Sequence, residues 1–247
     1  MDKEYIKIDN NEIAIPAVLW GKSGHRLLIE VHGNCSGKED TVIEMIAQTA
    51  VSAGYRAPSF DLPTHGERQG DNYECNPENC VSDLKAVYDY AETISSEISL
   101  FACSIGAYFS LLAYHDLDLE QSLFLSPIVN MERLIENMMK NNGISEERLN
   151  SEGRIQLPDG QALDINYYRY VKDNPVSFEW KSPTSILYGS KDDLSEWKEI
   201  SGFSSRYKAP VTVLEGGEHF FHTDEQLRAF DSWAKEDLGG SAGYPSR

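Results

Sequence analysis

Ile98-Ser99-Leu100-Phe101-Ala102-Cys103-Ser104-Ile105-Gly106-Ala107 is the stretch that decides how the rest of the chain is read. The apolar run up to Ala102 reads as a buried strand. The small residues around Ser104 read as a sharp turn, and the chain then continues as a helix. A serine on such a turn sits in a strained backbone conformation with strand and helix packed close together, so its flanking positions must be small. Ala102-x-Ser104-x-Gly106 satisfies this, with alanine where glycine is more usual. Taken alone, a small-x-Ser-x-small pentad recurs by chance in many proteins. Its meaning depends on whether partners stand downstream in the right order.

An activated serine needs a base to take its proton and an acid to orient the base. Pro183-Thr184-Ser185-Ile186-Leu187-Tyr188-Gly189 is a strand-like run ending in glycine, followed by Ser190-Lys191-Asp192-Asp193. Val211-Thr212-Val213-Leu214 is another strand-like run, and Gly216-Gly217-Glu218-His219-Phe220-Phe221-His222 comes soon after it. The chain order is therefore Ser104, Asp192, His219, with each partner just past a strand end. Asp192 is favoured over Asp193 by its spacing from Gly189. His219 is favoured over His222 because it lies in the loop directly after the strand. His219-x-x-His222 as metal ligands lacks a third ligand nearby.

Composition narrows the classes. A chain of 247 residues with 40% hydrophobic and 25% charged residues can build a sizeable core. The net charge of −18 disfavours a nucleic-acid backbone or an anionic membrane surface as partner, since both select clustered Lys and Arg. The opening Met-Asp-Lys-Glu carries no apolar secretory segment, so a cytoplasmic location is expected. The run from Ile98 to Tyr114 is interrupted by serines and a glycine and is too short to span a bilayer. Without a secretion signal, Cys35, Cys75, Cys80 and Cys103 are expected as free thiols. Cys75-x4-Cys80 precedes a helix but has neither the close spacing nor the second pair of a zinc site, so no metal is expected.

Strands and helices alternate along the chain. Tyr5–Ile8 and Glu12–Ile15 flank a turn and read as a hairpin. Leu27–Val31, Tyr55–Phe60 and Ser122–Leu125 read as strands, and 39–51 as a helix stopped near Gly54. Asn76 and Pro77 read as the cap and first residue of another helix, and the last helix runs from about Asp224 to Ala234. This pattern predicts an α/β fold: a mostly parallel sheet covered on both faces. The rhythm breaks between Pro127 and Ser182. Residues 1–126 and 183–238 are expected as the core, 127–182 as a cap over the active site, and 239–247 as a flexible tail.

Leu28-Ile29-Glu30-Val31-His32-Gly33-Asn34 places His-Gly directly after a strand. Acyl transfer develops an oxyanion, which needs backbone N–H groups aimed at it. The expected donors are Ile105, next after the serine, and Asn34. Gly33-Asn34-Cys35-Ser36-Gly37-Lys38-Glu39 also looks like a phosphate loop. It fails in detail, with three residues between the glycines and Glu39 where Ser or Thr belongs.

On these residues the chain resembles the α/β-hydrolase superfamily, its small single-domain serine esterases in particular, from about Leu27 to the final helix. His32-Gly33 matches the family's oxyanion loop. Phe60-Asp61-Leu62-Pro63-Thr64-His65-Gly66-Glu67 is similar to its Asp-x-x-Gly-His-Gly-x-Ser loop, with Thr64 in place of a glycine. Gly189-x-x-Asp192 matches its acid turn. The resemblance implies the α/β-hydrolase fold and catalysis by Ser104, His219 and Asp192 on a small-molecule ester, without a cofactor. Asp61 and His65 are expected to brace their loop, and Cys103, off the centre of the turn, to be a small apolar residue. The rival expectations are thioester or amide chemistry on the same residues (thioesterase, acyltransferase or peptidase), or a small-molecule receptor that keeps the fold without turnover.

Overall fold

The computed structural model describes residues 1–239 apart from Glu12 and Asp159. The first elements are β1 (Lys3–Asn10), β2 (Ile13–Trp20), β3 (Arg26–Val31), α1 (Thr41–Ser52), β4 (Tyr55–Phe60) and α2 (Pro77–Glu92). They are followed by β5 (Glu97–Cys103), α3 (Ile105–Tyr114) and β6 (Ser122–Leu125). The insertion contains α4 (Met131–Asn141), α5 (Glu146–Glu152), β7 (Arg154–Gln156), β8 (Ala162–Asp164) and α6 (Ile165–Asp173). The chain then closes with β9 (Thr184–Gly189), α7 (Trp197–Tyr207), β10 (Val211–Leu214) and α8 (Asp224–Gly239).

Eight strands form one sheet in the order β1-β2-β4-β3-β5-β6-β9-β10. β1, β2 and β4 pair antiparallel, and every pair from β4 to β10 is parallel. The parallel part needs helical crossovers, which cover both faces, so its central strands are apolar along nearly their whole length. Side chains alternate across the sheet. Leu27, Ile29 and Val31 join a core with α2, α3 and α7, whereas Leu28 and Phe101 pack with α1 and α8 through Ile46, Phe230 and Trp233. The face of β3 that carries Leu28 also carries Glu30. Its carboxyl is fully buried, neither oxygen has a hydrogen-bond partner among the described groups, and burial raises its pKa well above the ordinary range.

The cap of α2 forms as its residues predict. The Asn76 side chain accepts from the Asn79 N–H at 2.9 Å, and Pro77 occupies the first helical position. The last helix continues to Gly239, past Ala234. Residues 240–247, within the expected tail, lie outside the described residues.

The insertion expected as a cap contributes side chains to the main apolar core. Ile135 and Met139 of α4, Leu149 of α5, and Tyr168 and Val171 of α6 share one apolar cluster with Tyr108 and Phe109 of α3. The amphipathic helices bury their apolar stripes against the sheet-covering layer. Among the described residues, none of those lining the cavity beside Ser104 comes from 127–182. No helix among the described residues is long and apolar enough to cross a membrane.

Candidate active site

Ser104 stands between β5 and α3 with φ 51° and ψ −124°, a positive-φ conformation that is strained for a residue with a side chain. Backbone bonds hold it there. Its N–H donates to the Leu125 carbonyl at 3.1 Å, and its own carbonyl accepts from the Ile128 N–H at 3.1 Å. Gly106 is required by close approach: a Cβ there would lie 2.4 Å from the His32 carbonyl oxygen and 2.8 Å from that of Val31.

The loops after β9 and β10 meet in the same way. A Cβ on Gly189 would lie 2.4 Å from the Gly217 oxygen, so the two turns touch as bare backbone. The Lys191 N–H donates to the Gly217 carbonyl at 2.7 Å, and the Gly216 N–H to Ser190 Oγ at 2.8 Å. This stitching brings Asp192 under His219. The Nδ1–H of His219 faces Asp192 Oδ1 at 2.9 Å and Oδ2 at 2.8 Å. A proton on Nδ1 leaves the Nε2 lone pair to accept from the Ser104 hydroxyl, with Oγ 2.8 Å away. The Asp192 side chain is wholly buried, and Oδ1 also accepts from the N–H groups of Leu194 (3.0 Å) and Ser195 (2.8 Å). The alternatives stand apart. Asp193 is exposed, and His222 bonds the Phe220 carbonyl and stacks on the Phe220 ring.

On the other flank lies the turn after β3. His32 is buried and its pKa is depressed to about 4 by desolvation. Its Nδ1–H donates to the Gly33 carbonyl at 2.7 Å and its Nε2 accepts from the Leu62 N–H at 3.0 Å, so a neutral ring ties this turn to the one after β4. Asn34 lines the cavity and its Oδ1 accepts from His65 Nε2 at 3.2 Å. Ile105 opens α3, so its N–H has no acceptor within the helix and lies next to Ser104.

Lys38, the lysine of the phosphate-loop likeness, is committed elsewhere. Its buried ammonium sits 2.7 Å from both Asp61 Oδ2 and Glu67 Oε1. Asp61 also accepts from the Lys38 and Glu67 N–H groups. Arg68, equally buried, donates to the Asp61 carbonyl and pairs with Asp83 at 2.6 Å. Asp61 and His65 thus brace their loop.

A cavity of about 460 Å³ opens beside Ser104 and His219. Its apolar wall includes Val42, Ile43, Leu125, Leu194, Phe220 and Leu227, and no Lys or Arg lines it among the described residues. Cys103 also borders it, and burial pushes its thiol up to about 12, so it stays protonated. Sequence reasoning missed Ser126, Leu194 and Phe220 as cavity residues. No local pattern marked them; the bonds from the Leu194 and Ser195 N–H groups to Asp192 Oδ1 form an Asx turn that places Leu194 at the site.

The sequence matches no family model and no curated protein. Solved structures do resemble it. Est1E from Butyrivibrio proteoclasticus superposes with a TM-score of 0.79 at 21% identity, over 96% of this chain and 99% of that one. Mouse alpha/beta hydrolase domain-containing protein 10 gives 0.80 at 15%, over 97% and 100%. An esterase from Pyrococcus furiosus gives 0.72 at 17%, over 98% and 91%. The chain has the α/β-hydrolase fold.

Proposed function

We propose that the protein is a serine hydrolase that cleaves carboxylic esters through an acyl-enzyme intermediate. The observation that carries this reading is the unbroken line from Ser104 Oγ through His219 to the buried Asp192. Ser104 attacks the acyl carbon while His219 Nε2 takes its proton. His219 then delivers that proton to the leaving alcohol, and water repeats the sequence in reverse. Asp192 holds the productive tautomer and stabilises the imidazolium. The N–H groups of Ile105 and Asn34 receive the oxyanion.

The apolar cavity, with no cationic side chain lining it, suits a neutral ester with an aliphatic or aromatic group. Est1E, which shares the fold, has been solved with ferulic acid, an aromatic carboxylic acid. The test is labelling with a fluorophosphonate, read by intact mass. A single adduct on the native protein and none on Ser104→Ala is expected, with kcat/KM on aryl esters reduced about a thousandfold or more by the substitution. Absence of an adduct on folded native protein would overturn the reading in favour of a non-catalytic receptor. Matched ester, thioester and anilide substrates then rank the acyl classes.

A further inference from the structure

The amino-terminal end of α2 carries a second group of reactive side chains. With Asn76 as the cap, Cys75 is the residue before it and Cys80 the fourth helical residue. Side chains at those two positions pack together across a helix start. Here both are thiols, unbonded, with their sulfurs 3.6 Å apart. Cys80 is buried and Cys75 is partly exposed.

His65 and Cys75 interact electrostatically, each favouring the charged form of the other. Both ring nitrogens of His65 also face oxygens that can only accept: the Pro63 carbonyl at 2.8 Å and Asn34 Oδ1 at 3.2 Å. An imidazolium satisfies both oxygens, donating one N–H to each. A thiolate at Cys75 supplies its counter-charge. The electrostatics agree. Burial pulls His65 down, but its interaction with Cys75 and its bond to the Pro63 carbonyl outweigh this and raise it. The Cys80 hydrogen bond, against burial, together with His65 brings Cys75 down to about 6, while burial pushes Cys80 up. A low-pKa, accessible thiol beside a resolving one is the arrangement of redox-sensing cysteines.

We propose that Cys75 and Cys80 are a peroxide-reactive dithiol whose oxidation discharges His65 and loosens its hold on Asn34. The Cys75 thiolate attacks the terminal oxygen of a hydroperoxide. An S–O bond forms, the O–O bond breaks, and the leaving alkoxide (hydroxide from hydrogen peroxide) takes the His65 proton. The Cys80 sulfur then attacks the sulfenic acid. The S–S bond forms, the S–O bond breaks, and the hydroxyl leaves with the Cys80 proton as water. Two thiols are oxidised and one hydroperoxide is reduced to an alcohol and water. His65 is left neutral with a single N–H, shared between Pro63 and Asn34.

The experiment exposes the reduced full chain to stoichiometric hydrogen peroxide at neutral pH, then alkylates it and reads intact and peptide masses. The expected result is loss of two hydrogens, Cys75 and Cys80 in one cross-link, and Cys35 still free. In Cys80→Ser, dimedone should trap a sulfenic acid at Cys75. Oxidation of Cys35 ahead of Cys75, or Cys75 alkylating no faster than Cys35, would overturn the dithiol. The His65 ring nitrogen resonances should move from imidazolium to neutral on oxidation and return with dithiothreitol; a disulfide that leaves them unmoved would overturn the link. One consequence rests on the serine-hydrolase reading: the oxidised protein should take fluorophosphonate about tenfold more slowly. A reduced protein that never labels counts against that reading and leaves the thiol and resonance results standing.

Discussion

The loops at the ends of β3 and β4 and those at the ends of β9 and β10 flank the same serine, yet they are built in opposite ways. On the first side the brace is held by fixed ion pairs, Lys38 with Asp61 and Glu67 and Arg68 with Asp83, while His32 is held neutral. On the second side the buried carboxylate of Asp192 has, among the described residues, no permanent cation against it, only two backbone N–H groups and the His219 ring. Fixed pairs hold backbone donors still. A carboxylate beside a neutral imidazole is completed only when that ring takes a proton. In the proposed mechanism the fixed pairs keep one side rigid while His219 on the other takes up charge.

The largest test breaks the second side. Asp192→Asn should keep the fold but lose about 10⁴-fold in kcat, because an amide no longer enforces the Nδ1–H tautomer. Steady-state hydrolysis of an aryl ester beside a thermal melt measures it, and loss below tenfold would mean that another acid serves His219.

Next comes the first side. Lys38→Met leaves Asp61 buried without its cation and should destabilise the protein by about 3 kcal/mol. Urea unfolding checks this, and a variant within about 1 kcal/mol of native would show that the brace contributes no more than a surface ion pair.

Glu30 probes the exception on the first side. Its folded pKa lies above its unfolded one, so over the window between them the unfolded chain releases a proton that the folded protein keeps. Stability is therefore fully present below the ordinary glutamate range and falls as pH rises, by up to about 1.4 kcal/mol per unit. Glu30→Gln should remove this slope and be the more stable form at pH 8, as measured by unfolding at several pH values. Parallel stability curves for the two proteins would contradict it. Smallest of all is His222→Ala, for which kcat/KM should stay within about twofold of native, in contrast to His219.

Strand limits were legible where an apolar run ended in turn residues, as at Ser122–Leu125, because burial on both faces leaves a continuous apolar signature. The helix start at Asn76 and Pro77 was legible because a cap is local chemistry. The placement of 127–182 was not. The spacing of Ile135, Met139 and Val171 shows which face of each helix is apolar, but not which surface receives it. The Lys38–Asp61 pair was equally hidden, since two of the many charged residues in an acidic chain carry no mark that they will meet in the interior.

What the sequence determined by itself was the order Ser104, Asp192, His219 and the small residues that let the backbone pass close at Gly106 and Gly189. These depend on steric limits within a few residues and on strand-end position. Only the tertiary structure decided that the Asp192 carboxylate rather than that of Asp193 lies under His219, that Lys38 is committed to Asp61, and that the Cys75 and Cys80 thiols stand beside a histidine that holds Asn34. Each of these is a contact between segments whose relative placement is set by sheet order and helix packing, and a distance of a few ångströms between them has no counterpart in local pattern.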